Sequence, residues 1–444
     1  MKDFSKPTSF SSDPTLSTRT LPGTLSLTPL RLLLPRSRHL RGTTTKQMKG
    51  HAIFYLTTFS FLEIRGFLLP QNRLIITRNA YSTCTTVAAT AATCPSSPSN
   101  SFIGSTLTDM QLAFEAVGKF FDRIEGVQFE QTSGGVNNVG MYVRFLDGRH
   151  YVMRIYNNGF DHARVHYEHT ILQQLNKQVL SFQVPKALPT RADPSKTYAV
   201  LSNGADACIF ETIPGNLPKL TCVREIGRAS GELLEAIQNV DVSHLACPTA
   251  PYSHFYEVHH AVSRELFYRE MNGADFDPIR ESAIKAVAYI EDMEKKLELF
   301  EARNLPKCLL HADLHYDNVL VENGKVTGLL DFEFAAVDYR AMELAVCLSK
   351  YAGEPKAKKY FDDFIEGYMI HANLTDEEIE AVPTLVNLRI LSNIAYFVGR
   401  KIAGEDDISC ITTRLENYMT RVEWVYKNAE LIVKKLKYEV KRHV

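Results

Sequence analysis

The segment Cys308–Leu348 constrains this chain most. It contains His311-Ala312-Asp313-Leu314-His315-Tyr316-Asp317-Asn318, followed by the apolar run Val319-Leu320-Val321. Asn323-Gly324 then gives a turn signal, and Val326–Leu330 reads as a second strand ending in Asp331-Phe332-Glu333. Asp313 and Asn318 therefore sit five residues apart on a loop, and a hairpin returns Asp331 to them. Two carboxylates and an amide brought together in this way suit phosphoryl transfer. Asp313 would orient an attacking hydroxyl and accept its proton, while Asn318 and Asp331 would hold magnesium against nucleotide phosphates. Magnesium takes hard oxygen ligands and needs only one or two carboxylates, which this set supplies. Metal binding by His311 and His315 is the rival reading. Their i, i+4 spacing suits a helix, but the surrounding residues read as a loop.

A chain with this segment also needs a place for the nucleotide. Upstream, from Thr108, apolar residues recur at helical spacing (Leu112, Phe114, Val117, Phe120), and short β-rich runs follow. Gly140–Leu146 and His150–Tyr156 flank Asp147-Gly148, a hairpin signal. Ser133-Gly134-Gly135-Val136-Asn137 lies between two expected strands, where paired glycines let backbone N–H groups approach phosphate oxygens. A Gly-Gly hairpin would look the same. Two strands on, Arg154 follows Tyr151-Val152-Met153, where a kinase strand offers a cation to the phosphates, and Glu168 on the expected helix 161–176 is placed to pair with it. The bland alternative for both is a surface pair. Runs at 184–188, 198–201 and 207–212 read as further strands. After Pro214-Gly215 the pattern turns helical, over 223–238, 279–303 and three or four more segments. The fold class expected is α+β. A β-rich nucleotide-binding lobe over 109–213 precedes a larger helical lobe over 214–444.

Residues 1–108 are a different kind of sequence. They carry 12 Lys/Arg against three acids, whereas the remainder carries 38 against 48. Basic, hydroxyl-rich and acid-poor is the composition of an organelle transit segment. The expectation is a targeting leader to plastid or mitochondrion, or else upstream sequence ahead of a start at Met48 or Met110 in a cytoplasmic protein. Either way it is expected to be disordered and without catalytic work. The whole chain has a net charge of −1, so a nucleic-acid partner is not expected. No run of about 18 apolar residues occurs, so neither is a membrane span. Eight scattered cysteines without a CxxC pair read as reduced structural thiols.

The segment HADLHYDNVLVENGKVTGLLDFEFA, over 311–335, resembles the aminoglycoside phosphotransferase / choline kinase-like superfamily of small-molecule kinases. Within it the chain is most similar to the bacterial-type homoserine kinase group, which the tail FIEGYMIHANLTDEEIEAVPTLVNLR, over 364–389, also resembles. The resemblance covers roughly 110–435. It implies a two-lobed protein-kinase-like fold with ATP in the cleft and Mg2+ at its mouth. Asp313 would be the catalytic base, Asn318 and Asp331 the metal ligands, and His311 a structural brace. Ile209, Phe210, Glu211 and Thr212 would form the hinge that binds adenine. Arg154 stands where the family more often has lysine, a swap that keeps charge and adds a fork. Glu333 stands where the homoserine kinase group often has tyrosine; a DFE or DYE is commoner in choline-type kinases, and the position lies beside the acceptor pocket. Asp338 is expected to cap the helix that follows or to meet an acceptor amine, and capping is preferred. Glu343 lies in the same stretch, and Tyr316 and Asp317 are candidates for the acceptor side.

Taken together, these features lead to the expectation of an ATP-dependent kinase acting on the hydroxyl of a small metabolite, homoserine first, as a monomer or homodimer. Choline, ethanolamine or another amino alcohol is second, and an aminoglycoside third. A protein substrate is disfavoured, because no APE-like segment follows Asp331 and the chain is expected to run straight into a helix. The non-enzyme alternative is a nucleotide-binding relative without turnover, which Arg154 alone favours.

Overall fold

Residues 107–132, 138–157 and 161–443 are described in this computed structural model. The expectations for residues 1–106, and for Ser133, Gly134, Gly135 and Asn137, lie outside the described residues.

Helix α1 (Leu107–Phe120) lays Ala113, Ala116, Val117 and Phe120 on one face of an antiparallel sheet. The sheet has strands β1 (Gln128–Gln131), β2 (Val139–Arg144), β3 (His150–Ile155), β4 (Ala199–Val200) and β5 (Asp206–Glu211), in the order β1-β2-β3-β5-β4. The turn around Gly148, at φ +89°, closes the β2–β3 hairpin where Asp-Gly predicts it. Alternation along β5 divides its side chains between two cores. Ala207 and Ile209 join α1, while Cys208 and Phe210 face α2 (His162–Leu175) and the main core. Asp161 caps α2, its side chain accepting from the Ala163 N–H. Residues 184–188 form no regular strand. Gln183 and Ala187 make only single bridges, to Gly328 and Phe210.

The rest is mainly helical: α3 (Val223–Ile237), α4 (Arg264–Met271), α5 (Arg280–Ala302), α6 (Met342–Ser349), α7 (Ala357–Tyr368), α8 (Asp376–Ala403) and α9 (Ser409–His443). Helices α3 and α7 approach backbone to backbone. A Cβ on Gly227 or Gly231 would collide with the Phe364 or Tyr368 carbonyl. Helix α8 is apolar and long enough to cross a membrane, yet 72% of its most apolar window is buried inside the protein. Its Leu385, Leu388, Ile390, Leu391 and Ile394 are core residues, each burial contributing ~1.5–3 kcal/mol.

Two short sheets frame the catalytic segment. Strand β6 (Lys307–Leu310) pairs with β9 (Ala336–Tyr339), and β7 (Val319–Glu322) pairs with β8 (Lys325–Leu329). Asn323 and Gly324, at φ +51° and +77°, make the tight turn between β7 and β8. The expectation of a direct passage from Asp331 into a helix needs correcting. A 3-10 turn at Phe332–Phe334 and strand β9 intervene before α6. The six described cysteines are all free.

Candidate active site

Strand β6 delivers the chain to His311, and the loop that follows is held by its own polar groups. The His311 Nε2–H donates to the Leu330 carbonyl at 2.8 Å, and Nδ1 accepts from the Asp313 N–H at 3.3 Å. Burial lowers the His311 pKa, in keeping with a neutral ring that donates at one nitrogen and accepts at the other. Ala312 adopts φ +64°, strained for a residue with a Cβ. Its N–H donates to Glu343 Oε2 at 3.2 Å. His315 caps the 3-10 turn Tyr316–Asn318 by accepting from the Asp317 N–H, which turns Nε2 toward Asp313 Oδ2 at 3.6 Å. Both histidines therefore brace the loop. The only three-residue metal-ligand group among the described residues is elsewhere, at His259, His260 and Glu405.

Asp313, Asn318 and Asp331 are tied together. The Asn318 amide nitrogen donates to the Asp313 carbonyl at 2.9 Å. The Leu330 N–H donates to the Asn318 carbonyl at 2.8 Å, which places Asp331, the next residue, alongside. The Asp313 carboxylate receives Arg389 Nη2 on Oδ1 at 2.9 Å. Burial by itself would raise the Asp313 pKa. The His315 hydrogen bond and the Arg389 charge outweigh it and hold the carboxyl well below the usual range. Asp313 is thus an anion at neutral pH.

Arg154 links the sheet to this loop. Its Nη1 donates to Glu168 Oε1 at 3.2 Å, and its Nη2 lies 3.1 Å from Asp331 Oδ1. Burial pushes the Glu168 carboxyl up to about 7 against the pull of Arg154, and the Tyr156 hydroxyl donates to its other oxygen at 3.0 Å. The Arg154–Glu168 pair is therefore partly buried, not a solvated surface contact. Magnesium fits the residues present. With the Asn318 amide nitrogen engaged, its oxygen is the end left for a cation. Asp331 Oδ1 is shielded from water and makes no hydrogen bond, its contact being the Arg154 charge.

Three expectations change on the nucleotide and acceptor sides. The hinge narrows. The Ile209 carbonyl accepts from the Leu188 N–H at 2.8 Å, and the Glu211 N–H donates to the Lys186 carbonyl at 2.9 Å. Those backbone groups are committed to pairing, and Phe210 faces the core. Thr212, after the end of β5, is the expected hinge residue left beyond that pairing. Glu333 faces the sheet: Asn138 Nδ2 donates to its Oε2 at 2.6 Å. Asp338 caps no helix. It sits in β9, almost fully buried, accepting from the Tyr339 N–H at 2.8 Å and the Ser253 N–H at 3.4 Å.

Glu343 is the brace whose removal is most informative. It is 1% exposed, and burial raises its pKa to about 7. A carboxyl with a raised folded pKa favours the folded state below its ordinary pKa, and that advantage is lost as pH rises to about 7. At about 1.4 kcal/mol per pKa unit the span is on the order of 3 kcal/mol. Glu343→Gln is therefore expected to match wild type in urea unfolding at pH 5 and to exceed it at pH 8. Glu343→Ala, which strands the Ala312 N–H, is expected to lose about 1–3 kcal/mol at pH 5 and less at pH 8, where it also escapes the cost of the buried charge.

Arg389 was not expected as a site residue. The signal was present: Asn387, Arg389 and Asn393 interrupt the mainly apolar middle of α8. A largely buried arginine there needs a partner, and its partner is Asp313.

Solved structures share the fold. One described as the microcompartment-associated aminopropanol kinase superposes with a TM-score of 0.51 at 15% identity, covering 76% of this chain and 100% of its own. The amicoumacin kinase hAmiN in complex with AMP-PNP, Ca2+ and Ami superposes at 0.50 and 15% identity, covering 72% and 93%. In sequence, homoserine kinase from Sinorhizobium fredii is 26% identical over 258 residues, 56% of this chain and 72% of that protein. Homoserine kinase from Zymomonas mobilis is 28% identical over 272 residues, 59% and 78%. Residues 128–378, more than half of the chain and all of the loop just described, match the Phosphotransferase enzyme family, and the chain belongs to it.

Proposed function

We propose that this phosphotransferase moves the γ-phosphate of ATP to the hydroxyl of homoserine, with magnesium held by Asn318 and Asp331. The observation that carries the chemistry is Asp313, an anion fixed by Arg389, His315 and Asn318 beside the second carboxylate. So acidic a carboxylate is a weak base. It aligns the hydroxyl and takes the proton only as the new P–O bond forms and the bridging bond to ADP breaks. Arg154 neutralises phosphate charge, and Glu168 keeps it in place. The metal, when bound, adds charge neutralisation at the phosphates.

Support for homoserine comes from the two homoserine kinases, which align over about three quarters of their lengths. The test is ADP release by the full chain with ATP and magnesium, across homoserine, choline, ethanolamine, hydroxylysine, methylthioribose and kanamycin. Homoserine is expected to raise the rate most. A larger rise with choline or ethanolamine would move the assignment to an amino-alcohol kinase.

A further inference from the structure

We propose that Lys350, Arg389 and Arg421 form a subsite beside Asp313 that recognises a carboxylate, so that the acceptor is a hydroxy acid and not a carboxylate-free amino alcohol. This deepens the kinase reading above and rests on it.

The three cations come from three elements. Lys350 is the C-cap of α6, Arg389 lies on α8 and Arg421 on α9. Arg421 Nη2 donates to the carbonyl of Ser349, the neighbour of Lys350. Arg389 Nη1 donates to Asn393 Oδ1 at 2.8 Å, and its guanidinium lies 5.0 Å from the Tyr252 ring centre. Lys350 Nζ is 3.8 Å from Asp317 Oδ2. Burial first, and then the Arg389 charge, lower the Lys350 pKa, and both also act to lower that of Arg421. Arg421 is bonded beside Lys350, and Lys350 is joined to Arg389 through Asp317, His315 and Asp313, so the three like charges share one cluster.

The acids at this place are already engaged. Asp313 holds Arg389 and faces His315, and Asp317 lies between His315 and Lys350. Glu354 enters through its field on Arg421 and Tyr316. What lacks a partner is a pair of donors. Arg389 Nε and Arg421 Nε are both shielded from water and make no hydrogen bond among the described residues. A buried N–H without an acceptor is costly, and an ammonium group would make the site worse. A carboxylate supplies four lone-pair positions and the missing charge. Because Arg389 also holds Asp313, an anion on its Nε lies one guanidinium away from the group that aligns the hydroxyl. That suits a small molecule with the two functions a few carbons apart.

The test compares three acceptors on the full chain with ATP and magnesium. These are homoserine, 4-hydroxybutanoate (carboxylate without amine) and 3-aminopropan-1-ol (amine without carboxylate). Homoserine is expected to exceed 3-aminopropan-1-ol in kcat/KM by about a hundred-fold or more, with 4-hydroxybutanoate between them. Lys350→Met and Arg421→Gln are expected to raise the homoserine KM about ten-fold, with kcat and the ATP KM moving far less. If Arg421→Gln loses the wild-type melting transition, Arg421→Lys and Lys350→Met carry the test. Calorimetry with a non-hydrolysable ATP analogue makes the same comparison without turnover. Equal binding of 3-aminopropan-1-ol and homoserine, no binding of either hydroxy acid, or a shift in ATP KM alone would overturn the subsite. Preference for another hydroxy acid, weakened by the same variants, would retain the subsite and discard homoserine.

Discussion

Asp313→Asn is expected to slow phosphotransfer by about a thousand-fold while leaving ATP affinity within a few-fold of wild type. The asparagine keeps an oxygen for Arg389 Nη2 but carries no charge to receive the hydroxyl proton. Asp313→Ala is expected to be as slow and also less stable. It leaves the Arg389 cation, whose side chain is 12% exposed, without its counter-charge. Stopped-time assays of ADP release and a calorimetric ATP titration separate the two effects. The pH profile gives a further check. Because Asp313 is held well below the usual carboxylate range, its stabilising contribution is present above the ordinary Asp pKa and is lost only in strong acid. No acid-side break in kcat/KM above about pH 5 is expected from this group. Near-wild-type turnover by Asp313→Asn would remove Asp313 from the chemistry.

Arg154→Ala is expected to have the second largest effect, on rate and stability together. Arg154 satisfies Glu168 and faces Asp331, and Glu168 is 3% exposed. Removing one partner of a buried pair typically costs about 3–5 kcal/mol, because a charge is left behind. The loss has a pH signature. Burial already raises the Glu168 pKa to about 7, and without Arg154 the acid is neutral to still higher pH. An acid with a raised folded pKa loses stability as pH rises through that value. The urea midpoint of Arg154→Ala is therefore expected to fall further below wild type at pH 8 than at pH 5.5. The rate is expected to fall about a hundred-fold, from lost positioning of the phosphates. Arg154→Lys keeps the charge but replaces a fork that spans two carboxylates with one ammonium, and about a ten-fold loss is expected. A lysine variant as fast as wild type would show that charge alone matters here.

What was legible in the sequence was local. Asp313, Asn318 and Asp331 are joined by one loop and one hairpin, so spacing and turn residues alone bring them together. Arg154 and Glu168 are separated by 14 residues and follow from one strand and one helix. What was not legible depended on distant chain. Arg389 reaches Asp313 across 76 residues, and no local pattern says which buried acid an arginine in an apolar helix will meet. The hinge is narrower than the sequence suggests because the backbone groups of Ile209 and Glu211 are taken by residues 186–188, and nothing local says that this run pairs with β5. Asp338 looked like a cap because the short strand β9 was hidden in a stretch that read as helix start. There β9 pairs with β6, and two backbone N–H groups satisfy the carboxylate instead.

The most direct measurement is 31P NMR of the full chain incubated with ATP, magnesium and homoserine, with Asp313→Asn in parallel. A new phosphomonoester resonance that grows in step with ADP, in wild type alone, is the predicted result. Release of ADP with inorganic phosphate only, or equal product from both proteins, would contradict the assignment of Asp313 as the group that directs the phosphoryl to a hydroxyl.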